Sequence, residues 1–180
     1  REMYDSCLIC YQKVISYSNQ IGWNRGIATG LGNLADIYSK IGLLDSAIIY
    51  HKKSLKLSEE TDNCISSSEE YLYLADLYQK VNKNDSVLIF ANQALRKAED
   101  CNLLREQGAA LKFMADYKSD IGAFKQANHL LQRYYQIKDS ISSADIKSNI
   151  VELETKYQTK AKEQQIELLI AENEIKNQRM

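Results

Sequence analysis

The sequence predicts an all-α protein built of antiparallel helix pairs on a 40-residue period and closed by one long C-terminal helix. Three observations predict it. Leu34-Ala35-Asp36 recurs as Leu74-Ala75-Asp76 and again as Met114-Ala115-Asp116, with no insertion between copies. Gly42, Asn82 and Gly122 fall at one place in each copy, where an apolar helical pattern ends and another begins. The 180 residues contain no proline, which breaks helix interiors but is common where strands and turns alternate.

The elements follow in order. Residues 3–19 read as a lone second helix of a pair. Residues 23–41 and 44–60 form the first full pair, 63–81 and 84–99 the second, and 103–121 and 124–140 the third. In the first helix of each pair, Leu31, Leu34, Ala35 and Tyr38 share a stripe that Tyr71, Leu74, Ala75 and Tyr78 repeat. In the second helix, Ala47, Tyr50, Ser54 and Leu55 are echoed by Val87, Phe90, Ala94 and Leu95. Gly42, Asn82 and Gly122 suit the left-handed residue that ends a helix. Asp45 and Asp85 follow Gly42 and Asn82 by three residues, and Asp5 stands one period earlier, as expected N-terminal caps of the next helix; Gly22, Asp62 and Asn102 are cap candidates near the start of the other helix. A turn this short makes the two helices antiparallel neighbours. The chain opens on half a pair, which leaves an apolar end uncovered, so further repeats are expected before Arg1.

Residues 1–140 thus form the repeat array and 141–180 a separate segment, rich in Glu, Lys, Gln and Ile. Ile146, Ile150, Leu153 and Tyr157 are spaced as a heptad seam, continued by Ala161, Gln164, Leu168, Ala171 and Ile175. Such a helix would reach roughly 50 Å. Being highly charged, it needs a partner: a homodimer through its C-terminal half is expected, the alternative being a simple cap formed by its N-terminal half on the last repeat.

Leu31, Leu34, Ala35, Tyr38, Gly42, Ala47 and Ser54 resemble the signature slots of the tetratricopeptide repeat. The second copy uses Tyr71, Leu74, Ala75, Tyr78, Asn82, Val87 and Ala94, while the third departs, with Lys118 in the tyrosine slot and Tyr134 in the last small one. The usual terminal proline is absent, and the period exceeds the family's customary length of about 34. The resemblance implies a right-handed superhelix with a concave wall lined by the first helix of each pair. Tyr134 to Asp139, then Val151 to Tyr157 and the charged run to Arg179, resemble the linker of membrane-bound bacterial regulators whose repeat sensors precede a histidine-kinase or helix-turn-helix output. That likeness implies a signal-transduction sensor on the periplasmic face of the inner membrane, with a membrane helix after Met180. The alternatives are a cytoplasmic adaptor or scaffold and an intracellular peptide-pheromone-binding regulator.

Composition narrows the function classes. The formal net charge of −1 offers no basic excess to offset phosphates, so nucleic acid is not an expected partner. No apolar run is long enough to span a bilayer. Cys7 and Cys10 form a C-x-x-C, but Cys64 and Cys101 are too far apart in sequence to supply a second such pair, so all four read as small apolar helix residues and no metal is expected. Gly22, Gly26, Gly30 and Gly32 read as close helix packing, since no phosphate-loop G-K-[ST] accompanies them. His51 has no acidic neighbour in sequence, and His129 reads as a partly buried helix residue. No catalytic constellation stands out; neither enzymatic activity nor a cofactor is expected.

The expected work is protein or peptide binding. The resemblance places Asn33, Asp36 and Lys40, then Tyr73, Asp76 and Lys80, then Lys112, Phe113, Asp116 and Asp120 on the concave wall. A ladder of Asp36, Asp76 and Asp116, one per repeat, suits a peptide with polar or basic groups, and Tyr73 and Phe113 suit apolar anchors.

Overall fold

The computed structural model describes residues 2–143, together with 147, 155 and 162. The chain divides into two compact units, Arg1–Lys138 and Asp139–Met180. The heptad seam read over 146–175 and the membrane-linker likeness beyond 150 lie outside the described residues.

The first unit is all-α. Its helices are α1 (Glu2–Gln20), α2 (Asn24–Lys40), α3 (Leu44–Glu60), α4 (Cys64–Lys80), α5 (Asn84–Asp100) and α6 (Leu104–Asp120). A seventh, α7, begins at 124, and the chain is helical through 143. Each of α1 to α5 packs on the next as an antiparallel neighbour, and α4 also touches α6.

One turn is used six times. After each helix comes a residue with positive φ: Gly22 (68°), Gly42 (83°), Asp62 (48°), Asn82 (58°), Asn102 (54°) and Gly122 (77°). Its N–H donates to the carbonyl three residues back, and the next N–H donates to the carbonyl five back, as in Gly42 to Ser39 (3.1 Å) and Leu43 to Tyr38 (2.9 Å). That pair of bonds is the Schellman motif, which satisfies the orphan carbonyls of a helix end. Gly22, Asp62 and Asn102 therefore close the preceding helix rather than cap the following one. The aspartates are likewise not caps. Leu43 and Lys83 occupy the N-cap positions without a side-chain bond, while Asp45 and Asp85 stand inside the first turn. There they meet the positive end of the helix dipole without replacing a backbone partner. Asp5 lies inside α1, which begins at Glu2. Asn63 is a true cap, its Oδ1 accepting from the Ser66 N–H at 3.3 Å.

Small residues set the helix spacing. Ala35, Ala47, Ala75, Ala91, Ala94 and Ala110 are wholly buried, and Leu34, Leu74, Leu77 and Leu111 fill the gaps between them. Two clusters result. One gathers Ala47, Ile48, Leu55, Leu74, Leu77, Tyr78, Val87 and Tyr117, and the other Ala75, Ala91, Ala94, Leu95, Ala110, Leu111 and Met114. Burying each large side chain contributes about 1.5–3 kcal/mol. A Cβ on Gly26 would meet the Trp23 ring at 2.2 Å, and one on Gly30 would meet Ile15 at 2.7 Å, so these two glycines serve close approach.

The cysteines depart from expectation. Cys64 opens α4 and Cys101 ends α5, so the antiparallel pairing brings their Cα atoms to 6.4 Å and a disulfide joins them. Closing a loop of 37 residues stabilises the folded pair by about 4 kcal/mol in the chain-entropy description. Cys7 is half-buried and Cys10 exposed, both as free thiols.

The third pair also departs from the first two. Tyr38 stacks on Tyr50 at 5.1 Å, and one period later Tyr78 stacks on Phe90 at 5.0 Å. Each ring pair clasps the two helices beside their turn. The corresponding residues of the third pair are Lys118 and Leu130, which have no rings to stack. His129, read as partly buried, is exposed.

Candidate functional site

The register of the repeat positions a polar cluster inside an otherwise apolar stack. In the helix-A slot where the other copies place the buried small residues Gly30 and Ala110, the second copy has Glu70. In the helix-B slot of the buried Ala91, the first copy has His51. These two meet across α3 and α4: His51 Nδ1 lies 2.6 Å from Glu70 Oε2. An ionised carboxylate only accepts, so Nδ1 carries the proton of this bond. Ser54 Oγ donates to Glu70 Oε1 at 2.7 Å and lies 2.8 Å from the Ala28 carbonyl. Gly32 makes the room, because a Cβ there would stand 2.6 Å from Glu70 Oε1. His51 is 1% exposed and Glu70 7%.

His51 is therefore not without an acidic partner. Sequence neighbours are irrelevant to it, since its partners come from other helices. Its second nitrogen, Nε2, faces Asp36 Oδ1 of α2 at 3.6 Å. The Tyr73 ring lies over the imidazole, with centroids 5.1 Å apart and planes 19° apart, and roofs the buried pair.

Above this roof is an acidic face. Tyr73 is 45% exposed. Burial raises its phenol pKa first, and the charges of Asp36, Glu69 and Glu70 raise it further. Burial likewise raises the Glu69 carboxyl, followed by repulsion from Glu106 and Glu70. Carboxylates of α2 and α4 thus surround one ring, and Glu106 of α6 acts on Glu69. Beside it a hollow of about 230 Å³ lies between α4 and α6, lined by Ser68, Glu69, Leu72, Arg105, Glu106 and Ala109.

A raised carboxyl pKa means that the ionised form is disfavoured by folding. Glu69 therefore costs stability above its folded pKa, and the cost fades as pH falls through that value toward the ordinary 4.5. Glu69→Gln is expected to raise the melting temperature at pH 7 and to leave it unchanged below pH 4.5. A gain that persists in acid would contradict the crowding of carboxylates.

Asp36 and Tyr73 come together at the roof. The other residues of the expected wall each have their own surroundings. Asp76 pairs with Lys80 at 2.6 Å on its own helix, and Asp116 with Lys112. Asp120 accepts from Gln79 across α4 and α6 at 3.4 Å. Asn33 is half-buried and Lys40 exposed. Lys112, held protonated by its bond to Asp116, also feels Tyr134 and Tyr135 of α7. Phe113 packs against both core clusters, so of the two aromatic residues Tyr73 is the exposed one. The aspartate ladder is thus largely charge-paired along its own helices. Glu69, Glu70, Glu106, His51 and Ser54 were not read from the sequence as site residues. For Glu70 and His51 the signal was there: a charged or polar residue in a period slot that Gly30 and Ala110, or Ala91, fill in another copy.

Among the described residues, no helix is long and apolar enough to cross a membrane, and no group of three potential ligands could hold a metal ion. No protein-family model matches the chain, and no curated protein matches it either. Solved structures do. The crystal structure of BtubC (BKLC) from P. vanneervenii superposes with a TM-score of 0.67 at 18% identity, covering 78% of this chain and 59% of that one. The apo form of RapI superposes with a TM-score of 0.55 at 12% identity, covering 78% of this chain and 64% of that one. The fold is that of a helical-repeat protein. This helical-repeat chain spans about three fifths of the length of either neighbour, and at such identities the likeness concerns fold alone.

Proposed function

We propose that the chain is a peptide- or protein-binding module of tetratricopeptide kind and not an enzyme. The observation that supports it is the Tyr73 ring, left 45% exposed among carboxylates from α2 and α4. An aromatic anchor in an acidic collar suits an extended segment bearing lysine or arginine, which gains ring contact and charge together. Asp36 would repel a terminal carboxylate, so acidic C-terminal tails are excluded as ligands.

A labelled lysine-containing nonapeptide is expected to bind in fluorescence anisotropy, and its glutamate counterpart is not. Tyr73→Ala is expected to weaken binding by about tenfold or more, and Tyr73→Phe to preserve it. Equal binding of the two peptides, or tight capture of an acidic tail that Asp36→Ala abolishes, would overturn the reading.

The finer context rests on sequence. The segment 141–180 supports the sensor of a membrane-anchored bacterial regulator, with its repeats on the periplasmic side and a membrane helix beyond Met180. A soluble adaptor and an intracellular peptide-binding regulator are the other two readings, and the parent gene on either side of this chain separates all three. Dimerisation through the C-terminal helix is expected to show in sedimentation at tens of micromolar and to vanish when residues 158–180 are removed. A monomer with the helix intact would sink the seam.

A further inference from the structure

The disulfide sits where two carboxylates repel each other. Cys64 opens α4, one turn before Ser68 and Glu69. Cys101 ends α5, and the bonds from Asn102 N–H to Glu99 (3.0 Å) and from Leu103 N–H to Ala98 (2.8 Å) lock it to the turn that opens α6 at Leu104. The Cys64–Cys101 bond therefore pins the start of α6 against the start of α4. Those two starts are the walls of the 230 Å³ hollow, with Glu69 on one and Glu106 on the other. Burial and then Glu106 raise the Glu69 carboxyl, even with Arg105 on the same rim. We propose that the Cys64–Cys101 bond is a redox switch on the acidic face: oxidised, it holds Glu69 and Glu106 around one cationic ligand group, and reduced, it lets the two walls part and weakens the hold. The ligand half of this inference rests on the reading of that face as a binding site.

The first pair shows what the arrangement is without these parts. One period earlier, Asn24 and Thr61 stand in the cysteine slots, and Thr29 and Ser66 stand in the slots of Glu69 and Glu106. That copy has neither the tie nor the like charges, so the bond and the repulsion it opposes occur together. The helix pair does not depend on the bond alone. Ala75, Ala91, Ala94 and Leu95 still pack α4 on α5 when it opens, which leaves the α4–α6 spacing as the quantity that changes. Both cysteines are half-buried and stand outside the core clusters, within reach of a small dithiol. Reduction consumes two electrons and two protons. A thiolate of the dithiol attacks one sulfur, the other sulfur leaves and is protonated, and the second thiol closes the reductant's own disulfide.

The test uses the full chain carrying Cys7→Ser and Cys10→Ser, which leaves one bond to exchange with added dithiothreitol. Carboxyl titration by NMR reads the opening without any ligand. In the oxidised chain Glu69 is expected to titrate above the ordinary 4.5, and on reduction to fall toward it, with the circular dichroism unchanged. With Glu106→Gln, which removes the parting force, Glu69 is expected to titrate alike in both states. The lysine-containing nonapeptide is expected to bind the reduced chain about fivefold or more weakly than the oxidised one. Cys64→Ser with Cys101→Ser is expected to bind as the reduced chain does and to ignore the dithiol. A Glu69 titration identical in the two states would overturn the switch whatever the peptide does, and so would equal peptide affinity. Helix lost on reduction would make the bond a structural staple and overturn it as well. If neither form binds the peptide while Glu69 still shifts, the ligand reading fails and the redox-gated opening stands.

Discussion

His51→Leu is expected to lower the stability of the repeat unit by about 3–5 kcal/mol, because it strands the Glu70 carboxylate in a site 7% exposed. Most of that loss is the cost of an uncompensated buried charge rather than the worth of the His51–Glu70 bond. Ser54 still donates to one oxygen, but the other loses its partner at 2.6 Å. The double variant His51→Leu with Glu70→Met is therefore expected to recover most of the loss, since two apolar side chains of similar volume replace the pair. Urea denaturation of the wild type, both single variants and the double variant completes the cycle. If the double variant is as unstable as the single one, the pair is not the source of the effect, and the cluster is held by packing alone.

Ala75→Arg is expected to cost about 3 kcal/mol or more. Ala75 has no exposed surface and packs with Ala91, Ala94 and Leu95. An arginine there either buries its charge without a partner or forces α4 away from α5, breaking contacts on which the neighbouring pairs also depend. Ile89→Arg is the control. Ile89 is 58% exposed, and a charge there is expected to change stability by less than about 0.5 kcal/mol. Chemical denaturation followed at a helical wavelength reads both, and an Ala75→Arg midpoint close to wild type would contradict the register of the helix pair.

The buried pair and the acidic face are coupled by one residue. Tyr73 covers His51 on one side and meets solvent on the other. Its substitution by alanine would open the pair to water as well as remove the anchor, which is why phenylalanine is the informative comparison. A lost hydroxyl with the ring retained should leave both the roof and the apolar contact in place.

The sequence by itself determined the helices, because they follow from local chemistry. Six left-handed turn residues punctuate the chain every 20 positions, and the expected boundaries agree with the observed ones to about a residue. The missing clasp of the third pair was equally legible, as Lys118 in a tyrosine slot. Partnerships across helices were decided only by the tertiary structure. His51 and Glu70 are separated by 19 positions, a turn and about half a helix on either side of it, and Cys64 and Cys101 by 37 positions. Whether such residues meet depends on the rotation and stagger of one helix against the next, which no single helix encodes. The same holds for the aspartates: each of Asp76 and Asp116 found a lysine one turn away, while Asp36 faces an imidazole brought by a different helix. A residue's register can be read along the chain, but its partner is settled by packing.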